Sequence, residues 1–362
     1  MIKKSDEAVL LSAIVLPVLF LVLGLMTLIV TNAFGDQIRA KGTIFVHEDG
    51  SRFIPIGFTT VTNFRTLSDA QLDKYFANFA GHGGNVLRIL PGDINGSNKT
   101  PLIETSAGVI NPKFAPYINR LIPYCQKYGV RLQVVVWSWW SRYARFFDAS
   151  SYPMQTLVAD YLIKNWGTSD RIFAWEIYNE LSWANSLSDS WVDFAAYIFR
   201  YRTSQMLAIS ATNPFLGNAT NRLWASPNLD FCASHSYSGV KGNIPGGLAF
   251  GVVTGGLSQR VKNVPIIMQE IRKRCPSKPF LDTEIPGIPV SLWTKTVALN
   301  QASEASYAQS FVDVGKAYLA NGAAGPGLVY SDNPPSTING VPSELSPRLL
   351  DAMAQLSMGV TP

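Results

Sequence analysis

The chain alternates two hydrophobic rhythms. Short continuous apolar runs, such as "NVLRIL", "RLQVVVW", "RIFAWEIY" and "PFLDTEI", read as strands buried on both faces. Between them lie segments with apolar residues at helical spacing, for example Leu72, Tyr75, Phe76 and Phe79 behind a capping Ser68. Phe114, Ile118, Leu121, Ile122 and Cys125 mark a second such helix, which Gly129 ends. "TIFVHEDGSRFIPIGFTT" predicts a hairpin about Asp49-Gly50 leading into a first buried strand. Further along, a helix is expected from Asp189 to Ser210 and a fifth strand at "PFLGNA". A sixth strand is expected at "LDFCASHSY", with helices over Val261–Arg274, Glu304–Asn321 and Ser346–Met358, and an eighth strand at "GLVYS".

Eight strand–helix alternations without a linker or repeat predict a parallel sheet covered by helices. Eight units favour closure into a (β/α)8 TIM barrel over an open doubly wound sheet, and no Gly-rich phosphate loop follows the first strand. The expected organisation is a barrel over residues 36–362 behind an amino-terminal segment, 1–35. Within that segment Ala8–Val30 carries no charge, and at ~1.5 Å per residue a helix of this length spans a ~30 Å hydrocarbon core. A single transmembrane anchor is preferred over a cleaved signal peptide, whose apolar core is ordinarily shorter. The lipid bilayer is then a partner through residues 8–30, and the barrel is placed on the extracytoplasmic side of a single-pass membrane protein.

Composition refines this picture only slightly. At 47% hydrophobic and 15% charged the chain is a folded one, and a net charge of +5 is no sign of nucleic acid. The densest basic run, Arg272-Lys273-Arg274 with Lys278, falls at a helix end, where positive charge complements the dipole. The three cysteines, Cys125, Cys232 and Cys275, have no metal-type spacing. Their odd number leaves one disulfide open but does not identify a compartment. Cys125 and Cys232 sit among core positions. Asn95, Asn98 and Asn218 open glycosylation triplets, a pattern common by chance.

The chemistry collects at the carboxyl ends of the strands, where such barrels carry their sites. Arg88 lies late in strand two, Asn179 and Glu180 end strand four, His235 and Tyr237 end strand six, Glu284 ends strand seven and Tyr330 ends strand eight. Glu180 and Glu284 therefore face each other across a barrel mouth, the arrangement glycoside hydrolysis requires. Glu176 lies deeper in strand four and reads as a buried structural acid. No His/Asp/Glu cluster has metal-ligand spacing, so neither metal nor cofactor is expected. Trp137, Trp139, Trp140 and Tyr143 form either a sugar-stacking platform or a partner-facing apolar patch.

The set "NVLRIL", "AWEIYNEL", "SHSY" and "LDTEIPG" resembles glycoside hydrolase clan A, nearest to family 5, the cellulase and β-mannanase group. "IFAWEIYNEL" is similar to the fourth-strand motif of the β-mannanases. The resemblance runs from about Gly42 to the end of the chain. It implies a retaining β-glycosidase acting on a β-linked glycan, with Glu180 as acid/base and Glu284 as nucleophile. It further implies that Arg88 keeps Glu284 ionised, that Asn179 contacts the sugar, and that His235 and Tyr237 orient the carboxylates. Tyr330 stands where the family usually has a Trp on strand eight. The competing reading is an inactive barrel serving as a subunit of a membrane-protein assembly.

Overall fold

The computed structural model describes residues 36–60, 64–90, 102–138, 143–181, 187–211, 218–235, 256–286, 301–330 and 347–359. Gln37–Pro362 form one compact unit. The segment Ala8–Val30 and the residues Tyr237, Trp139 and Trp140 lie outside the described residues. No helix among the described residues is long and apolar enough to cross a membrane.

The unit begins with a small antiparallel sheet of β1 (Arg39–Lys41), β2 (Ile44–Val46) and β3 (Arg52–Phe53). Its second turn is the expected Asp49-Gly50 hairpin, with Gly50 at φ +85°, a backbone region open to glycine. Phe45 and Phe53 from this sheet pack edge-on and tilted against Phe173, and Phe45 also against Phe231. These rings join Val86, Ala174, Met206, Ala233, Leu281 and Leu328, residues from the starts of the barrel strands, in one buried cluster. The hairpin thus plugs the amino end of the barrel with phenylalanines, leaving the opposite rim for polar chemistry.

The barrel strands are β4 (Gly57–Thr60), β5 (Val86–Ile89), β8 (Arg131–Ser138), β9 (Ile172–Asn179), β10 (Met206–Ala208) with β11 (Ser210–Ala211), β12 (Cys232–His235), β13 (Phe280–Pro286) and β14 (Leu328–Tyr330). All their pairings are parallel. β10 pairs with β9 and β11 with β12, and the two are halves of one strand interrupted at Ile209, so the sheet closes on itself. A small hairpin, β6 (Glu104–Ser106) and β7 (Val109–Ile110), lies in the connection after β5. At Gly57 a side chain would strike the carbonyl of Val86, its register partner, so the first strand needs a glycine to seat against the second.

Helices α1 (Asp69–Gly81), α2 (Phe114–Tyr128), α3 (Tyr152–Trp166), α4 (Leu187–Arg200), α5 (Asn218–Ala225), α6 (Gly256–Arg274), α7 (Gln301–Ala320) and α8 (Pro347–Met358) alternate with the strands. Ser68 caps α1 in a reciprocal box: its hydroxyl accepts from the Gln71 N–H, and the Gln71 side chain accepts from the Ser68 N–H. Gly129 ends α2 in the left-handed conformation, φ +69°. The buried face of α1 is the predicted one; that of α2 matches at Phe114, Ile118, Leu121 and Cys125, with Tyr117 added and Ile122 only partly buried.

The fifth strand corrects the sequence reading. The helix expected to reach Ser210 stops at Arg200, the strand is Met206–Ala211, and Asn218 opens α5 instead of ending a strand at "PFLGNA". A short apolar run such as "MLAISA" suits a buried helix or a strand equally well, and pairing with Ala174–Glu176 decides it. The basic run does close a helix: Arg272 donates to the Cys275 and Lys278 carbonyls, and Lys273 and Arg274 pair with Glu270. Lys278 reaches the Trp224 and Ser226 carbonyls, and its burial lowers the ammonium's pKa to about 8.

Cys232, at the start of β12, forms a disulfide with Cys275, just past α6, across a separation of 43 residues; Cys125 is a buried free thiol. Closing a loop of that length removes chain entropy from the unfolded state, and losing such a bond typically costs about 2–5 kcal/mol. Alkylation of the denatured, unreduced protein should therefore label one cysteine of the three. Urea unfolding of a Cys232→Ser/Cys275→Ser variant should show a loss in the stated range. Three reactive thiols in unreduced protein would refute the bond.

Candidate active site

At the open rim the strands deliver their polar residues to one point. The register sets Arg88 of β5 beside Thr59 of β4 and Gln133 of β8, and His235 of β12 beside Glu284 of β13. Arg88, Glu176, Gln133, Asn179, His235 and Glu284 are all buried, whereas the Glu180 side chain keeps 20% of its surface exposed. That contrast leaves Glu180 as the one charged group of the cluster open to an incoming molecule.

Arg88 organises the floor. Its Nε and one terminal nitrogen donate to the two oxygens of Glu176, both at 2.6 Å. The same terminal nitrogen donates to Asn179 Oδ1 at 2.6 Å, and the other to Glu284 Oε1 at 2.5 Å. Gln133 Nε2 donates to Glu176 Oε2 at 2.6 Å, and the Thr59 hydroxyl donates to the Thr283 carbonyl, steadying the strand that carries Glu284. With no exposed surface and its nitrogens engaged, Arg88 supports the residues above it, Glu284 among them. Asn179 is likewise 1% exposed, with its carbonyl oxygen held by Arg88.

His235 Nδ1 lies 2.9 Å from Glu180 Oε1 and 3.5 Å from Glu284 Oε2, bridging the two carboxylates. An oxygen of each glutamate and a ring nitrogen of His235 all fall within 4.8 Å of one another. Among the described residues this trio is the group whose donor atoms could converge on a metal ion. The guanidinium on Glu284 places positive charge there already, and His235 spans the two glutamates through Nδ1. Carboxylates in ionised form only accept, so Nδ1 carries the hydrogen when both are charged.

The electrostatics follow from burial against pairing. Burial alone would raise the Glu176 carboxyl, but the charge and hydrogen bonds of Arg88 hold it below the usual range. Burial raises the Glu284 carboxyl more than His235 and Arg88 lower it, and the charge of Glu180 adds to the rise. Burial opposes protonation of His235, yet Glu284 and Glu180 together raise its pKa above the ordinary imidazole value. Arg88 stays charged throughout, since the two carboxylates outweigh its desolvation.

The backbone at Glu180 is unusual. Its φ is +58°, a left-handed conformation that a non-glycine residue adopts at a cost of ~1–3 kcal/mol. Its N–H donates to the Ser210 hydroxyl at 3.0 Å, and Leu181 then bridges to Ala211 of the fifth strand. The turn so fixed takes the carboxylate out of the strand's alternation and aims it at His235.

Of the other residues singled out, Tyr330 ends β14 with its backbone in register with Thr59 and Pro286. Trp137 is no exposed platform: it is 1% exposed, packs edge-on against Phe146 and Trp191, and donates its indole N–H to Glu104 at 2.6 Å. Tyr143 packs edge-on on the same Phe146. This aromatic layer backs the rim from outside. Gln133, Thr59 and Ser210 were not foreseen as part of the cluster, although a glutamine inside "RLQVVVW" was a visible signal, since a buried amide needs a partner.

Comparison with known proteins bears on the fold. No protein-family model matches the chain, and no curated protein matches it by sequence. Solved structures do. An endo-1,4-β-mannanase from Rhizomucor miehei aligns with a TM-score of 0.61 at 14% identity, over 89% of this chain and 99% of that one. A glycoside hydrolase family 5 mannosidase from the same organism aligns at 0.64 and 13%, over 90% and 97%. A β-glucanase from Saccharophagus degradans, in complex with cellotetraose, aligns at 0.61 and 13%, over 90% and 94%. The fold is one that this chain shares with these glycoside hydrolase structures.

Arg88→Met should be strongly destabilising, by about 3–5 kcal/mol at neutral pH, because Glu176 and Glu284 would be left buried without a cation. Both carboxyls would then have folded-state pKa values above their unfolded ones. The deficit should accordingly be largest at high pH and shrink as the solution is acidified through those raised values. Denaturant unfolding at a series of pH values checks both magnitude and direction; a deficit that grows on acidification would contradict the assignment.

Proposed function

We propose that this protein is a retaining β-glycoside hydrolase acting on a β-linked oligosaccharide or polysaccharide, with Glu284 as nucleophile and Glu180 as acid/base. The observation that carries the reading is the pair of glutamates at the open rim, with oxygens within 4.8 Å of each other across His235. Retaining enzymes need a short carboxyl spacing, ~5–5.5 Å, because no water has to fit between nucleophile and sugar; inverting ones need ~6.5–9.5 Å.

In the first step Glu284 attacks the anomeric carbon while Glu180 gives its proton to the departing glycosidic oxygen. In the second, Glu180 takes a proton from water, and the hydroxyl displaces Glu284 from the sugar, regenerating both groups. The partly exposed Glu180 suits exchange of its proton with solvent, and in its ionised form between the steps it accepts a hydrogen bond from His235 Nδ1. Arg88 steadies Glu284 as a carboxylate when charge builds at the sugar. The mannanase, mannosidase and glucanase likenesses favour β-linked mannose- or glucose-based glycans.

The Cys232–Cys275 bond supports an oxidising compartment, in keeping with an extracytoplasmic barrel tethered by Ala8–Val30. The alternative of an inactive membrane-assembly subunit would leave the convergence of both glutamates on His235 without a use.

Assay of the purified protein on mannans, β-glucans and aryl β-glycosides tests the reading. Glu284→Gln should abolish hydrolysis while the protein stays folded. Glu180→Ala should slow substrates with poor leaving groups far more than activated aryl glycosides, and added azide should restore turnover on the latter as a β-glycosyl azide. A wild-type protein inactive across the panel, or variants without effect, would favour the subunit reading.

A further inference from the structure

Glu176 is a fully buried acid that takes no part in either chemical step above, yet it holds more of Arg88 than Glu284 does. Two of the guanidinium's nitrogens are forked onto its two oxygens at 2.6 Å, and only one faces Glu284. Such a fork fixes the guanidinium plane and so aims the remaining nitrogen. Gln133 fixes Glu176 in turn.

The fork also has an electrostatic consequence. Arg88 and Glu176 together form a nearly neutral pair, so Glu284 meets a hydrogen-bond donor in place of an uncompensated positive charge. Two carboxylates share one cation, and their pKa values part in opposite directions: Glu176 below the usual range, Glu284 above it. Among the described residues, the other charged groups around Glu284 are Glu180 beyond β9, His235 on β12 and, on its own strand, Asp282, which accepts the Glu284 N–H at 3.3 Å.

We propose that Glu176 is a positioning residue that sets the basicity of Glu284, by occupying the bidentate edge of Arg88 and cancelling most of its charge. A nucleophile paired with an unshared arginine would be a weaker base and a poorer attacker. Glu176 leaves Glu284 ionisable, oriented and reactive. The inference rests on the hydrolase reading only where it names Glu284 the nucleophile.

The test follows the titration of Glu284 directly, by 13C NMR of protein labelled at glutamate carboxyl carbons, with Glu284→Gln used to assign the resonance. Glu176→Gln removes the charge and should lower the Glu284 midpoint by about one unit or more. In the active enzyme the acid limb of kcat/KM should move down with it, and kcat should fall. Glu176→Asp keeps the charge but withdraws it by one methylene, so kcat should fall while the midpoint stays near the wild-type value.

If Glu176→Gln does not fold, Gln133→Met removes one donor from Glu176, concentrates its charge on Arg88 and should raise the midpoint of Glu284. A midpoint unmoved in Glu176→Gln, or raised, would overturn the proposal, as would one unmoved in Gln133→Met, whatever happens to stability. Because the titration needs no substrate, inactivity of the wild type would remove the hydrolase reading and still leave the influence of Glu176 on Glu284 measurable.

Discussion

One buried guanidinium governs this barrel. Arg88 has no exposed surface, and a desolvated cation is tolerable only when surrounded by anions and acceptors of good geometry. It finds them on β9, β13 and β4, so satisfying one side chain draws together strands far apart in the chain. Both the polar interior of the rim and the orientation of Glu284 depend on that requirement. The amino end is plugged by phenylalanines, with Arg131 over the Phe53 ring.

The rim is ordered by accessibility. Gln133, Glu176, Arg88, Asn179, His235 and Glu284 are all buried, and Glu180 lies nearest to solvent. Hydrogen bonds link these groups, so a change in charge at Glu180 is transmitted through short contacts instead of being screened by water. Positioning by buried supporting residues suits a site whose groups must stay within about a few tenths of an ångström of their geometry.

Much of this was legible in the sequence because burial is periodic. The eight-unit rhythm, the capping box at Ser68 and the Gly129 stop are local signals, and local physics decides them. Glu180 and Glu284 were legible as a facing pair since strand ends in a closed parallel barrel must meet. What escaped depends on distant partners. Nothing local distinguishes Cys232–Cys275 from the other two pairings of three cysteines. The helix-or-strand ambiguity of "MLAISA" was resolved only by β9 beside it. Trp137 looked like a platform because aromatic density along a chain does not say which face is covered; Phe146 and Trp191 cover it. Arg88 was correctly tied to Glu284, but its stronger hold on Glu176 follows from the direction in which a planar fork points.

The left-handed backbone at Glu180 bears on how such a site can change over generations. A glycine there would relax the turn, so loss of the carboxylate can come with a gain in stability of up to ~1–2 kcal/mol. Selection for robustness alone would thus pull this position away from glutamate. As long as glutamate occupies this position, the turn carries a strain that glycine would relieve.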